Sequence, residues 1–277
     1  MLFCWLKSIL KHKKIIKGGE DVEKKNIKKG DFNFLIPGGK MKKEKILIEN
    51  IPTIIWGENK ENIILAVHGN KSSKDDKIIT ILAEEGIKLG YQVISFDLPN
   101  HGERTDKENA VKVESYLKDL RKVFEYIKSK NKKITLFGNS MGAYFGLLEL
   151  KEEKLDQVLF LSPVVNMFEI IKNMMYWFNI SEEELYEKKK IETPIGETLY
   201  YDYYKYVKDN EINIWNNNTK ILYGSKDSLV SLKVLNEFIE KFKGEMTFSE
   251  KSEHYFHTEE DIKIYRKWLN SCLKDKN

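Results

Sequence analysis

The chain has 277 residues, 41% of them apolar, with five Trp, fourteen Tyr and fourteen Phe, enough for one large α/β core carrying an insertion. The formal charge of +4 is uneven: residues 1–40 hold ten lysines against four acidic residues, so residues 41–277 carry about −2 and give no footing for nucleic-acid binding. No run of about 18 apolar residues is present, and Cys4 and Cys272 lie at opposite ends, which argues against a disulfide framework and for a cytoplasmic location.

Residues 1–40 read as a basic N-terminal extension outside the catalytic body. "MLFCWLKSILKHKKIIK" places its apolar residues before its lysines, the reverse of a signal peptide, and Lys7 interrupts the apolar run. A basic amphipathic helix touching a membrane surface is one reading. A disordered extension is the preferred one, because residues 18–31 are mostly polar and charged. Met41 is an alternative translation start, which the intact mass of the native protein tests.

In the body, 41–277, strand-like and helix-like periods alternate. "KILIENIPTIIWGEN" predicts two short strands, with Pro52 limiting their pairing. "NIILAVHGN" is a continuous apolar run, as in a strand buried on both faces. A helix over 76–89 and a strand in "YQVISFDLP" follow. Val113, Leu117, Leu120, Phe124 and Ile127 mark an amphipathic helix over 109–130. "KITLF" is the next strand, followed by a helix after Ser140 and a strand in "DQVLFLS" at about 156–162. "TKILYGSKD" and "MTFSEKSEH" supply two late strands, with helices over 231–242 and 259–273 beside them. This order predicts an α/β fold with a doubly wound, mostly parallel sheet.

Residues 163–218 break the alternation and hold eleven of the aromatic residues. Met167, Ile170, Ile171, Met174, Met175 and Phe178 mark one helical face, and Ser181 with Glu184 forms a candidate capping box. "ETLYYDYYKYVKDN" predicts a further helix, with Leu199, Tyr203, Tyr206 and Val207 on one side. The stretch reads as a small helical cap inserted between two strands.

The chemistry centres on Gly138-Asn139-Ser140-Met141-Gly142, between "KKITLF" and "AYFGLLEL". In a strand-turn-helix elbow a nucleophilic serine takes unfavourable backbone angles, and glycines nearby give it room. The helix N-terminus then aims free N–H groups at a developing oxyanion. A serine needs a base to take its proton. Asp227 lies just beyond one late predicted strand and His254 beyond the next, so both emerge at the same sheet edge as Ser140. His257 competes with His254 but abuts "TEED", a helix start. His68 and His101 are expected to brace loops, and Asp97 to anchor one. The second half of an oxyanion hole is expected from the loop after "NIILAVHGN", where Gly69 lets a tight turn expose the N–H of Asn70; the N–H of Met141 is its partner.

Ser140, Asp227 and His254, with "HGN" upstream and "DLPNHG" between, resemble the α/β-hydrolase superfamily, in particular its monoacylglycerol-lipase and serine-aminopeptidase branch. The resemblance covers about residues 45–275. It departs at Asn139, where many relatives have histidine, and at Glu103-Arg104, where the pattern HG-x-S is common. It implies an ester hydrolase acting through an acyl-enzyme on a small-molecule ester, without a metal or organic cofactor. By the same analogy, the aromatic cap favours apolar acyl or aryl groups. A peptidase or acyl thioesterase using the same triad is the alternative, with "SEEE" at 181–184 the only acidic cluster placed to receive a substrate amine. A non-catalytic binding protein on the same fold is the remaining reading.

Overall fold

The computed structural model describes residues 32–36, 39–105, 112–130 and 132–274. Along the chain lie β1 (Phe32–Ile36), β2 (Gly39–Ile48), β3 (Ile51–Trp56), β4 (Asn62–Val67), α1 (Lys77–Lys88), β5 (Gln92–Phe96), α2 (Val113–Lys128), β6 (Lys133–Asn139), α3 (Met141–Glu149) and β7 (Gln157–Leu161). Then come α4 (Met167–Trp177), α5 (Glu182–Lys188), β8 (Lys190–Glu192), β9 (Thr198–Tyr200), α6 (Tyr201–Asp209), β10 (Thr219–Gly224), α7 (Leu232–Phe242), β11 (Glu245–Ser249) and α8 (Glu259–Lys274).

The apolar runs of β4, β5, β6 and β7 are buried almost throughout, because helices cover both faces of the sheet. Among the described residues its nine strands follow the order β1-β2-β3-β5-β4-β6-β7-β10-β11. The strands from β5 through β11 pair in parallel, and β1, β2 and β3 form an antiparallel flank. On one face, Ile79 and Leu82 of α1 and Tyr265 and Leu269 of α8 pack on Phe137 and Leu159. On the other, Leu120 and Phe124 of α2, Phe145 of α3 and Leu235 of α7 pack on Leu136 and Val158. The chain leaves β4 toward β5 and later returns to β6 on the opposite side. The carboxyl ends of β4 and β6 therefore flank a switch point, where such sheets open a crevice. Among the described residues no helix is long and apolar enough to cross a membrane.

Three expectations change. The boundary between extension and body does not fall at residue 40: β2 begins at Gly39, and Phe34 of β1 pairs with Met41. The lysine density around these strands hides their alternation. Pro52 does not limit the pairing, because it sits at the start of β3, where a missing N–H costs little, and β3 pairs on both sides from Thr53 onward. The insert between β7 and β10 is not all helical: Lys190–Glu192 and Thr198–Tyr200 form a hairpin, and α6 starts only at Tyr201. The expected segment at residues 1–17 lies outside the described residues.

Candidate active site

Ser140 stands between β6 and α3 at φ 50° and ψ −116°. Its N–H donates to Leu161 O at 3.0 Å, and its carbonyl accepts from Ala143 N and Val164 N, both at 3.1 Å. These bonds fix the turn against the end of β7. A Cβ on Gly142 would collide with the carbonyl of Val67 and lie 2.7 Å from that of His68, so only glycine lets α3 seat on the end of β4. A Cβ on Gly138 would come within 2.6 Å of Ala143 Cα. Both glycines of the motif are thus packing requirements of the elbow.

Asp227 follows β10 in a tight turn in which its N–H donates to Gly224 O at 2.9 Å. Its Oδ1 accepts from the backbone N–H groups of Leu229 (2.8 Å) and Val230 (3.0 Å), which fixes the plane of the carboxylate. The other oxygen, Oδ2, accepts from His254 Nδ1–H at 2.7 Å. A carboxylate only accepts, so the proton sits on Nδ1 and leaves Nε2 as an acceptor. Ser140 Oγ lies 2.9 Å from that Nε2, positioned to donate to it. The His254 and Asp227 side chains are 2% and 0% exposed. Gly224 makes this possible, since a Cβ there would press on the carbonyl of Ser252 in the loop that carries His254.

The structure joins His254, and not His257, to Asp227 and Ser140. His257 Nδ1 bonds the carbonyl of Tyr255 at 2.7 Å, and its backbone N–H donates to Asp261 at 3.2 Å. His68 is fully buried: its Nε2 accepts from Leu98 N at 3.1 Å and its Nδ1 meets Gly69 O at 2.8 Å. Burial, helped by the nearby His101 ring, lowers its pKa to about 3, so it stays a neutral strut. Asp97 anchors a loop as expected, accepting from Lys74 Nζ at 2.6 Å and from the N–H groups of Lys74 and Glu103, both at 2.9 Å. A Cβ on Gly102 would collide with that carboxylate, which explains the glycine of "NHG".

Ser140 and His254 lie in the wall of a cavity of about 450 Å³ between the sheet edge and the insert. Asn70 and Met141 border it too. Met141 is the first residue of α3, so its N–H has no acceptor within the helix. The loop carrying Asn70 lies against the elbow: a Cβ on Gly69 would be 3.4 Å from Ser140 Cβ. Met167, Ile170, Ile171 and Met174 of α4 form one apolar wall, with Leu199 and Leu229 beside them. Sequence reasoning missed Glu197, which reaches the cavity from the hairpin and bonds Asn70 and Lys71. The turn signal "TPIG" just before it was the available clue. Among the described residues no group of three or more His, Cys, Asp or Glu side chains is placed to hold a metal ion.

A parallel sheet with its switch point at β4 and β6, and a serine on a strained turn there, defines the α/β-hydrolase fold. Residues 58–212, more than half of the chain, match the model of the serine aminopeptidase, S33 family, and the chain belongs to that family. Among curated proteins none matched. Solved structures with similar folds include Est1E from Butyrivibrio proteoclasticus with bound ferulic acid (TM-score 0.71, 16% identity, 84% of this chain and 98% of that one). The α/β-hydrolase domain-containing protein 10 from mouse has a TM-score of 0.70 at 14% identity, covering 85% of this chain and 99% of that one. The Pyrococcus furiosus esterase Pf2001 has a TM-score of 0.62 at 20% identity, covering 85% and 90%.

Proposed function

We propose that the protein is a serine hydrolase that cleaves carboxylic esters bearing an apolar acyl or aryl group. The observation that most supports this reading is the unbroken relay Asp227–His254–Ser140, with contacts of 2.7 and 2.9 Å, in the wall of a mostly apolar cavity. In this mechanism His254 Nε2 takes the Ser140 proton as Oγ attacks the ester carbonyl, and Asp227 stabilises the imidazolium that forms. The N–H groups of Asn70 and Met141 hold the oxyanion. Collapse of the tetrahedral intermediate expels the alcohol, protonated by His254, and leaves an acyl group on Ser140. A water deprotonated by His254 then attacks the acyl carbonyl and restores the enzyme. Ferulic acid bound to the similarly folded Est1E is in keeping with an aryl acyl group.

The family's description, serine aminopeptidase, keeps a peptidase as the second reading. Such an enzyme needs an acid free to receive a substrate amine. Here Glu182, Glu183 and Glu184 do not border the cavity, and Glu197, which does, is paired with Lys71, which favours the ester reading. A panel of nitrophenyl esters of rising chain length, run beside aminoacyl anilides and acyl thioesters, tests the choice. Esters are expected to turn over fastest, and faster anilide cleavage would make the protein a peptidase. A fluorophosphonate probe should label the wild type at Ser140 and leave Ser140→Ala unlabelled. An unreactive wild type points instead to a non-catalytic binding protein.

A further inference from the structure

A single carboxylate of the insert reaches back to the loop that follows β4. Glu197 ends the turn between β8 and β9, and Thr193 holds its backbone three times over. The Thr193 N–H and hydroxyl both donate to Glu197 O at 2.8 Å, and the Glu197 N–H donates to Thr193 Oγ1 at 3.3 Å. Thr193 is buried, and Gly196, at φ 74°, closes the turn. A turn fixed in this way presents its side chain in one direction. The Glu197 carboxylate accepts from Lys71 Nζ on one oxygen and from Asn70 Nδ2 on the other, the latter at 3.4 Å. On the opposite side of Asn70, His101 Nε2 lies 3.3 Å from Oδ1, in a ring fixed by a 2.7 Å bond to Pro99 O. Lys71 itself sits at φ 56°, in the left-handed region that lysine adopts infrequently, at the point where the Glu197 carboxylate meets the loop.

We infer that Glu197 is a positioning residue for the oxyanion hole: by clamping Asn70 and Lys71 from across the cavity, it keeps the Asn70 N–H aimed at the oxyanion that forms on the Ser140 adduct. The inference rests on the serine-hydrolase reading above. An oxyanion donor works only when held within about 0.5 Å of its productive place. Losing such a donor outright lowers turnover by about 10²–10³-fold, so a loosened one costs less than that. The Glu197 and Lys71 side chains keep 25% and 31% exposure, and an ion pair so open to water contributes little to folding. A turnover defect without a melting defect is therefore the signature of the clamp.

The test uses the full chain and p-nitrophenyl butyrate. Glu197→Ala is expected to lower kcat about tenfold and to leave KM and the melting temperature near their wild-type values, with fluorophosphonate labelling slowed in proportion. Glu197→Gln, which keeps an acceptor, should lose less. Exchanging the charges in one chain, Lys71→Glu with Glu197→Lys, should recover part of what each single reversal loses. Raising salt from about 0.05 to about 0.5 M should lower the wild-type kcat but not that of Glu197→Ala. A wild-type kcat in Glu197→Ala, a loss that tracks a falling melting temperature, or an exchange no better than the single reversals would overturn the clamp. If Glu197→Ala does not fold, Glu197→Gln and the wild-type salt profile decide: a full kcat in the first and a flat second overturn it. Ser140→Ala separates the two ideas. Turnover surviving there removes the serine mechanism, whereas a silent Ser140→Ala beside a fully active Glu197→Ala removes only the clamp.

Discussion

At Ser140 the backbone angles of 50° and −116° load a residue with a Cβ by about 1–3 kcal/mol. Ser140→Gly relieves that strain and Ser140→Ala keeps it, while each removes the hydroxyl. Both are expected to lose about 10⁴-fold or more in ester turnover. The glycine variant should nonetheless melt higher, because the relief exceeds the roughly 0.5–1 kcal/mol that glycine's freer unfolded chain costs. A glycine variant melting below the alanine one would show that the turn stores less strain than the roughly 0.5–1 kcal/mol glycine costs. The two nearby histidines divide in the same experiment. His254→Ala should cost about as much turnover as Ser140→Ala, and His257→Ala less than about tenfold, since its ring is occupied by the Tyr255 carbonyl; the reverse result would move the base to His257. The candidate Ser140 was legible because it follows directly on the apolar run of β6, and Asp227 and His254 because each lies in the loop just beyond one of the two late strands. Glu197 was not: "TPIG" marks the turn, but in a chain with 43 acidic residues nothing marks the glutamate that follows it.

Two helix starts carry opposite pH signatures. Asp76 caps α1, accepting from Ile79 N at 2.8 Å, yet burial raises its carboxyl from an ordinary 3.8 to about 6. With the folded pKa above the unfolded one, its contribution is most favourable below about 3.8 and is lost as pH rises through about 6. Asp76→Asn keeps a capping oxygen but cannot ionise. Relative to wild type it should therefore gain stability between about pH 4 and 7, reaching about 3 kcal/mol at neutral pH. Asp261, the third residue of α8, closes a reciprocal capping box with Thr258: its N–H donates to Thr258 Oγ1 at 3.1 Å, and its Oδ2 accepts from Thr258 N at 3.0 Å. Burial pushes this carboxyl up, but bonds from the Ser252 and Thr258 hydroxyls and from the Thr258 and His257 N–H groups outweigh it and leave the pKa lowered. Its contribution is thus present at neutral pH and lost as pH falls through the lowered folded value. Asp261→Asn should cost most near neutrality and progressively less on acidification. Urea midpoints at several pH values measure both variants, and parallel slopes would refute the assignment. The start of α8 was readable from "TEED". The β8–β9 hairpin was not, because strands of three residues are too short to display a period of two.

At the scale of the whole molecule, the alternation of buried strands and amphipathic helices made the sheet readable, while the insert's interior was not, because its rings serve two ends. Tyr186 with Tyr201, and Phe168 with Tyr204, pack as pairs at ring separations of 5.0 and 5.6 Å and tie the insert together. Tyr200 and Tyr203 instead border the cavity that holds Ser140, beside the aliphatic stripe of α4 formed by Met167, Ile170, Ile171 and Met174. If the acyl group lies along that stripe, each added methylene buries apolar surface worth about 0.8 kcal/mol, or roughly fourfold in kcat/KM. The rise should continue along a nitrophenyl ester series until about 450 Å³ of cavity is filled, then stop. Met174→Trp fills part of that space with an indole, so the plateau should move to shorter chains. The variant's kcat/KM for the acetate ester should stay within about threefold of wild type, and for the octanoate fall by more than about tenfold. A uniform loss across the series would mean that the acyl chain leaves Ser140 in another direction and that the α4 stripe is simply the insert's packing face against the body.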